Sequence, residues 1–168
     1  MKNRSKTVAF IGLCTALALI LAYVEILIQP LFPTLPGIKM GLPNIIIVFL
    51  LYRRGAASAI GVSLIRILLV SLLFGNVMAL FYSLAGGALS IAVMIILKKL
   101  RFLSPVGVSV AGGVTHNVGQ ILMAMLLLDT VELGYYLVVL TVTGTVAGIL
   151  VGLCGAILIN NLPNKLIS

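Results

Sequence analysis

Charged residues are scarce in this chain: only 8% of its 168 residues are Asp, Glu, Lys or Arg, and only three are acidic. Hydrophobic residues make up 62% of the sequence, and the mean hydropathy is +1.31. A soluble domain of this size cannot bury so much apolar surface. The composition therefore excludes a soluble globular protein. It predicts an all-α integral membrane protein with a single domain over residues 1–168.

Motifs of the common catalytic classes are missing from the sequence. There is no Walker motif, no GxSxG sequence and no zinc motif. The single aspartate, Asp129, excludes the paired aspartates that hold magnesium on a diphosphate. The one histidine, His116, has no carboxylate or thiol nearby in its own segment, and Cys14 and Cys154 lack metal-binding spacing. We therefore expect no metal, no cofactor, no disulfide bond and no catalytic activity of the chain's own.

The basic residues, which give a net charge of +8, occur in short clusters between apolar segments. In a soluble protein this charge would suggest nucleic-acid binding, but the clustering is typical of membrane topology. Six segments are predicted to cross the membrane: 7–29, 40–52, 55–74, 76–97, 105–128 and 137–159. Segment 40–52 is short, because a crossing needs about 20 residues, so we expect a short or tilted helix that begins around Pro43. Segment 30–39, with three prolines, is predicted to be a rigid outer loop.

The distribution of charge predicts the orientation of these segments. Nine of the eleven Lys and Arg residues fall at ends predicted to be cytoplasmic, whereas Lys39 lies outside and Arg66 lies within the membrane. All three acidic residues lie in or toward the outer half. By the positive-inside rule, we expect six crossings of the cell membrane with both termini in the cytoplasm.

Arg66 lies near the middle of the apolar segment 55–74. A charge at that depth costs roughly 2.5–3.5 kcal/mol on insertion scales, so such residues rarely face lipid. Arg66 either pairs with Glu25 in a structural role or binds an anionic group of a ligand, for which its planar guanidinium is suited. The candidate ligand-binding residues are the polar side chains predicted at membrane depth: Arg66, His116, Asn117, Gln120, Glu25, Asn44 and Asn76.

A second polar cluster lies in the sequence GGVTHNVGQ. His116 and Gln120 are four residues apart, and Asn117 is three residues from Gln120, so all three lie within about one helical turn. Three such side chains are difficult to satisfy in lipid. We expect them to face a cavity that they share with Arg66, open toward the outer half of the membrane.

Small residues recur at a spacing of four in the first and last segments. Such stripes let another helix approach closely. The last segment has the longer stripe: Gly144, Gly148, Gly152 and Ala156. The first segment has two pairs that we expect to dock a partner: Gly12 with Ala16, and Ala18 with Ala22. The alternative is that the stripe in the first segment packs against the chain's own helices.

The segment PLFPTLPGIKMGLPNIIIVFLLYRRGAASAIGVSLIRILL, together with GGVTHNVGQ, resembles a known family. It looks like the Gx transporter family, also labelled heptaprenyl diphosphate synthase component I. It is also similar to the S components of energy-coupling factor (ECF) transporters. The resemblance implies a six-helix bundle and, through the spacing of Ala18 and Ala22, docking on a coupling subunit.

Three hypotheses about function follow. The first is a substrate-binding membrane subunit of a transporter that takes up a small anionic or polar-headed molecule. Because the chain has no ATP-binding motif, energy comes from partner ATPases of the ECF type or from no ATPase at all. The second is a non-catalytic membrane subunit of heptaprenyl diphosphate or quinone synthesis, in which Arg66 or the basic clusters hold a diphosphate. The third is a structural partner in a membrane complex. All three place the chain in the lipid bilayer, without nucleic acid.

Overall fold

A computed structural model of the chain describes residues 2–28 and 41–163, and within these ranges it contains helices and no strand. The helices are α1 (Lys2–Ile28), α2 (Asn44–Arg53), α3 (Ala56–Phe74), α4 (Val77–Leu100), α5 (Pro105–Leu128) and α6 (Tyr136–Asn161), with a 3₁₀ helix (Val131–Tyr135) before α6. The predicted outer loop at 30–39 and the C-terminal Lys165 lie outside the described residues.

Five of these helices are long and apolar enough to cross a membrane. The prediction of an all-α, multi-pass membrane protein is thereby confirmed. The helix α2 is shorter than the other five. It has ten residues and begins directly after Pro43, close to the start predicted from the sequence. At 1.5 Å per residue it is about 15 Å long, about half of a bilayer core of roughly 30 Å. As a helix, α2 therefore does not span the membrane.

The short helix α2 lies in the centre of the bundle, where it packs against α6, α3 and α1. Residues 46–51 are all at most 6% exposed. A helix that is apolar on every side is expected to be surrounded by protein or lipid, and the burial of α2 shows that protein surrounds it. This explains why six successive large apolar residues stand here without helical periodicity.

Basic side chains tie the C-terminal end of α2 to its neighbours. The two Nη atoms of Arg53 donate to the carbonyl oxygens of Ile159 and Leu162, at 2.8 and 2.6 Å. Lys98, near the end of α4, donates to the carbonyl oxygen of Leu51. The ends of α2, α4 and α6 therefore meet on one side of the bundle, which we call the basic end. The opposite side is the α2 N-terminal end.

Glycines bring α4, α5 and α6 into backbone contact. A Cβ atom added at Gly148 would lie 2.6 Å from the Cα of Val110, and one at Gly152 would lie 2.7 Å from the Cα of Val106. One at Gly119 would lie 2.8 Å from the carbonyl oxygen of Ala85. The glycine stripe of the last segment is therefore a close-packing face, and it packs within the chain.

The docking face expected on α1 requires a correction. Ala18 is fully buried and Ala22 is 5% exposed, so neither presents a surface to a partner. Gly12 and Ala16, in contrast, are exposed. Residues two apart on a helix lie about 200° apart around its axis, so the buried stripe and the exposed pair face opposite directions. The alternative that Ala18 and Ala22 pack within the bundle is the one the structure supports.

Candidate functional site

A polar cavity lies at the N-terminal end of α2, where that helix stops short of the bundle's far side. Its volume is about 80 Å³, and we call it the Arg66 cavity. Helices α1, α3, α4 and α5 form its walls, and Gly41 before α2 and Asn44 at its first position also line it. Its polar lining residues are Glu25, Asn44, Arg66, Ser71, Ser83 and His116. The shortness of α2 thus leaves space inside the membrane-spanning bundle for polar groups.

Arg66 reaches this cavity from the middle of α3. Its Nε is buried and has no hydrogen-bond partner among the described residues. Glu25 lies near enough to attract the guanidinium charge, in keeping with the pairing considered from the sequence. A buried N–H group without a partner is unfavourable, and this one belongs to a guanidinium that lines the cavity.

Glu25 also holds the chain that leads into α2. Its Oε1 accepts a hydrogen bond of 2.8 Å from the backbone N–H of Gly41. Gly41 has a φ of +69°, a backbone conformation in which residues with a Cβ are rarely found. One carboxylate therefore acts on both the charge of Arg66 and the turn that borders the cavity.

The polar turn of α5 spreads its side chains over three surroundings. His116 lines the Arg66 cavity together with Arg66. Asn117 points to α6, where its Nδ2 donates to the carbonyl oxygen of Leu140 at 2.7 Å. Gln120 packs toward α4, with its Cγ 2.8 Å from where a Cβ of Gly86 would lie, and it is not among the residues that line either cavity described here. The expectation that all three face one cavity therefore holds only for His116.

A second, smaller cavity of about 30 Å³ adjoins the first, and we call it the glycine chamber. It lies between α2, α4, α5 and α6, and the glycines of α5 and α6 form much of its wall. The residues that line both cavities are Gly41, Asn44 and His116. Asn117 lines only the chamber. The polar residues predicted from the sequence are thus shared between two neighbouring spaces.

Asn76 lies away from both cavities, which corrects its place among the ligand-binding candidates. It is exposed at the start of α4, where its side-chain oxygen accepts the N–H of Ala79 at 2.8 Å. Asparagine is a favoured residue at this capping position, because it satisfies one of the free N–H groups of a helix start. The polarity of Asn76 is therefore explained by the helix end.

Sequence reasoning missed four serines that line the cavities. Ser71 and Ser83 line the Arg66 cavity, and Ser90 and Ser109 line the glycine chamber. A serine in an apolar helix commonly bonds to its own backbone, so the residue type alone gave no signal. The spacing of two of them was a usable signal, because Ser83 and Ser90 are seven residues apart and therefore lie on one face of α4.

Metal ligands are not assembled in the described part of the chain. No three His, Cys, Asp or Glu side chains come together there. Cys14 is buried, Cys154 is exposed, and both are free thiols. The candidate site therefore consists of one guanidinium, one carboxylate, one imidazole and neutral amide and hydroxyl groups, which suit an organic or inorganic anion better than a cation.

The helices and these cavities define a multi-pass membrane protein with a polar, arginine-containing cavity inside its bundle. Comparison with known families gives the particular family: the sequence model described as heptaprenyl diphosphate synthase component I matches residues 14–158. This match covers most of the chain, which therefore belongs to that family. In the comparisons with curated proteins and with solved structures, nothing matched.

Proposed function

We propose that the chain is a substrate-binding membrane subunit of a transporter, similar to an ECF S component, and that the Arg66 cavity binds a small anionic or polar-headed molecule. The observation that carries this proposal is the buried, unpartnered Nε of Arg66 in a cavity with His116 and Asn44. Ionisable residues inside a membrane commonly mark substrate pathways. A guanidinium offers a planar set of donors that matches a carboxylate or phosphate.

The same proposal includes six passes through the cell membrane by one domain, with both termini in the cytoplasm. Basic residues mark the described ends of α1, α2 and α4, and the end of α6 supplies the carbonyl oxygens that bind Arg53. These ends gather at the basic end, which supports this orientation. The Arg66 cavity lies at the α2 N-terminal end, so in this orientation a ligand enters it from outside the cell. The second pass, predicted over 40–52, then contains α2.

A second candidate function is favoured by the family match. The family description names a component of heptaprenyl diphosphate synthase. In that function the chain is a non-catalytic membrane subunit, and Arg66 or the exposed cations of the basic end hold a diphosphate headgroup. The partner is then another synthase component rather than a coupling subunit with ATPases.

The test is a gentle purification followed by mass spectrometry of bound small molecules and co-purifying proteins. The wild type, Arg66→Ala, Arg66→Lys and the control Ser58→Ala are compared, because Ser58 lines neither cavity. We expect a bound anion in the wild type and in the control, and at least a tenfold loss in Arg66→Ala, since a hydrogen bond to a charged group contributes about 1.5–3 kcal/mol. Arg66→Lys keeps the charge but loses the planar donors, so we expect partial loss.

The outcomes separate the candidates. Coupling proteins and ATPases in the purified complex support the transporter, and a prenyl diphosphate with a synthase subunit supports the second function. Equal amounts of bound anion in the wild type and Arg66→Ala would contradict both uses of the Arg66 cavity.

A further inference from the structure

Most threonine hydroxyls in these helices bond to their own helix, which sets them apart from the serines that line the cavities. Thr15, Thr115, Thr141 and Thr145 each donate to the carbonyl oxygen four residues earlier, at 2.7–2.9 Å. This bond satisfies a hydroxyl group within its own helix and needs no neighbour. These threonines are therefore compatible with an apolar environment without any ligand or water.

The four serines of the cavities differ from these threonines. Ser71, Ser83, Ser90 and Ser109 make no hydrogen bond to another described residue, although three of them are at most 8% exposed. All four residues line the cavities, and in the described part of the chain Arg66 Nε is the only fully enclosed side-chain polar atom without a partner. Each hydroxyl can therefore both donate to and accept from a molecule in the cavity.

Three of these serines lie on α4 and α5, and Ser71 lies on α3. Ser83 and Ser90 are seven residues apart on α4, as are Ser109 and His116 on α5. Seven residues are close to two helical turns, so each pair shares a face and spans about 10 Å. The Arg66 cavity and the glycine chamber meet at His116 and Asn44. A molecule that binds Arg66 therefore lies next to neutral hydrogen-bonding side chains in both cavities.

We propose that the ligand of the Arg66 cavity is a compact anion that carries hydroxyl groups close to its charged group. Its anionic oxygens bind Arg66, and its hydroxyls bind the serines, with Asn44 and His116 between them. This deepens the proposed anion site and rests on it. A buried hydroxyl that lacks a partner is unfavourable, so an aliphatic ligand of the same size would leave these serines unsatisfied.

The size of the cavities agrees with a small ligand. One water molecule needs about 10–15 Å³ on this scale, so the Arg66 cavity, of about 80 Å³, has space for roughly five to eight, and the chamber, of about 30 Å³, for roughly two to three. A long hydrocarbon chain does not fit in either. A ligand that these cavities enclose completely therefore differs from a prenyl diphosphate, whose mass is mostly hydrocarbon.

Pairs of probes in which methyl groups replace hydroxyl groups test this proposal. Glycerate and 2-methylbutyrate are one pair, and glycerol 3-phosphate and 2-methylbutyl phosphate are the other, so the two arms also distinguish a carboxylate from a phosphate. Binding is measured by calorimetry on the full chain purified in detergent. We expect the hydroxylated member of at least one pair to bind the wild type tenfold or more tightly than its methyl counterpart.

Serine variants then locate the selectivity. We expect Ser71→Ala and Ser83→Ala each to weaken binding of the hydroxylated probe about fivefold, the effect of losing one ordinary hydrogen bond, and to leave the aliphatic probe unchanged. Ser90→Ala and Ser109→Ala test the chamber in the same way. The control is Ser58→Ala, because Ser58 lines neither cavity. Unchanged binding of the aliphatic probe shows that a variant is folded.

Each outcome supports or overturns the proposal. If anions bind the wild type through Arg66 but hydroxylated and aliphatic probes bind alike, or if the serine variants match the control, the hydroxylated ligand is wrong and the anion site stands. If Arg66→Ala binds every probe as the wild type does, or if no anion binds the wild type, the anion site itself is wrong.

Discussion

Glu25 is the residue on which two features of the site depend. Its carboxylate attracts the charge of Arg66, and one of its oxygens accepts the N–H of Gly41. The first interaction needs a negative charge, whereas the second needs only an acceptor oxygen. Because glutamine keeps the acceptor and loses the charge, substitution at this position can separate the two contributions.

We expect Glu25→Ala to lower the free energy of unfolding by about 1–2 kcal/mol more than Glu25→Gln, because alanine removes the acceptor for Gly41 as well as the charge. The measurement is thermal unfolding of the purified variants in detergent. Equal destabilisation by the two variants would mean that the hydrogen bond to Gly41 contributes nothing measurable. If the Glu25→Gln variant is as stable as the wild type, the charge of Glu25 does not stabilise Arg66.

At the scale of the helix, periodicity predicted which residues share a face but not which face turns inward. On α1, Gly12 with Ala16 and Ala18 with Ala22 have the same spacing, yet the first pair is exposed and the second is buried. The helix is apolar on both sides, since one side faces lipid and the other faces protein. Hydrophobicity therefore cannot orient it, and only packing against α2 and α3 does.

This orientation of α1 predicts that the same substitution has different effects on stability at Ala16 and at Ala18. We expect Ala18→Trp to overpack the bundle and lower the free energy of unfolding by about 1–3 kcal/mol. Ala16→Trp places the same side chain on an exposed face, so we expect little change. Thermal unfolding of the isolated protein measures both. If Ala16→Trp destabilises and Ala18→Trp does not, α1 is rotated relative to this structure.

For the whole molecule, hydropathy and charge were enough to predict the helices and their basic end. Both properties are read along the chain, so residues such as Arg53 and Lys98 marked helix ends before any contact was known. The cavity was less accessible to such reasoning. It exists because α2 has only ten residues, between Pro43 and Arg54. The serines were missed because an isolated serine is ordinarily satisfied by its own helix.

The orientation in the membrane is the last prediction, and it decides from which side the Arg66 cavity is reached. Lys99 lies at the basic end and Glu132 lies between α5 and α6 at the opposite end, and both are exposed. We expect a cysteine at 132 to react with a membrane-impermeant thiol reagent in intact cells, and a cysteine at 99 to react only after the cells are opened. Cys154, which is exposed, is replaced by alanine in both variants so that each carries a single accessible thiol. The parent Cys154→Ala chain controls for reaction at Cys14, which is buried. Labelling of 99 but not 132 in intact cells would reverse the orientation, and the cavity would then open to the cytoplasm, the side on which a synthase partner would meet it.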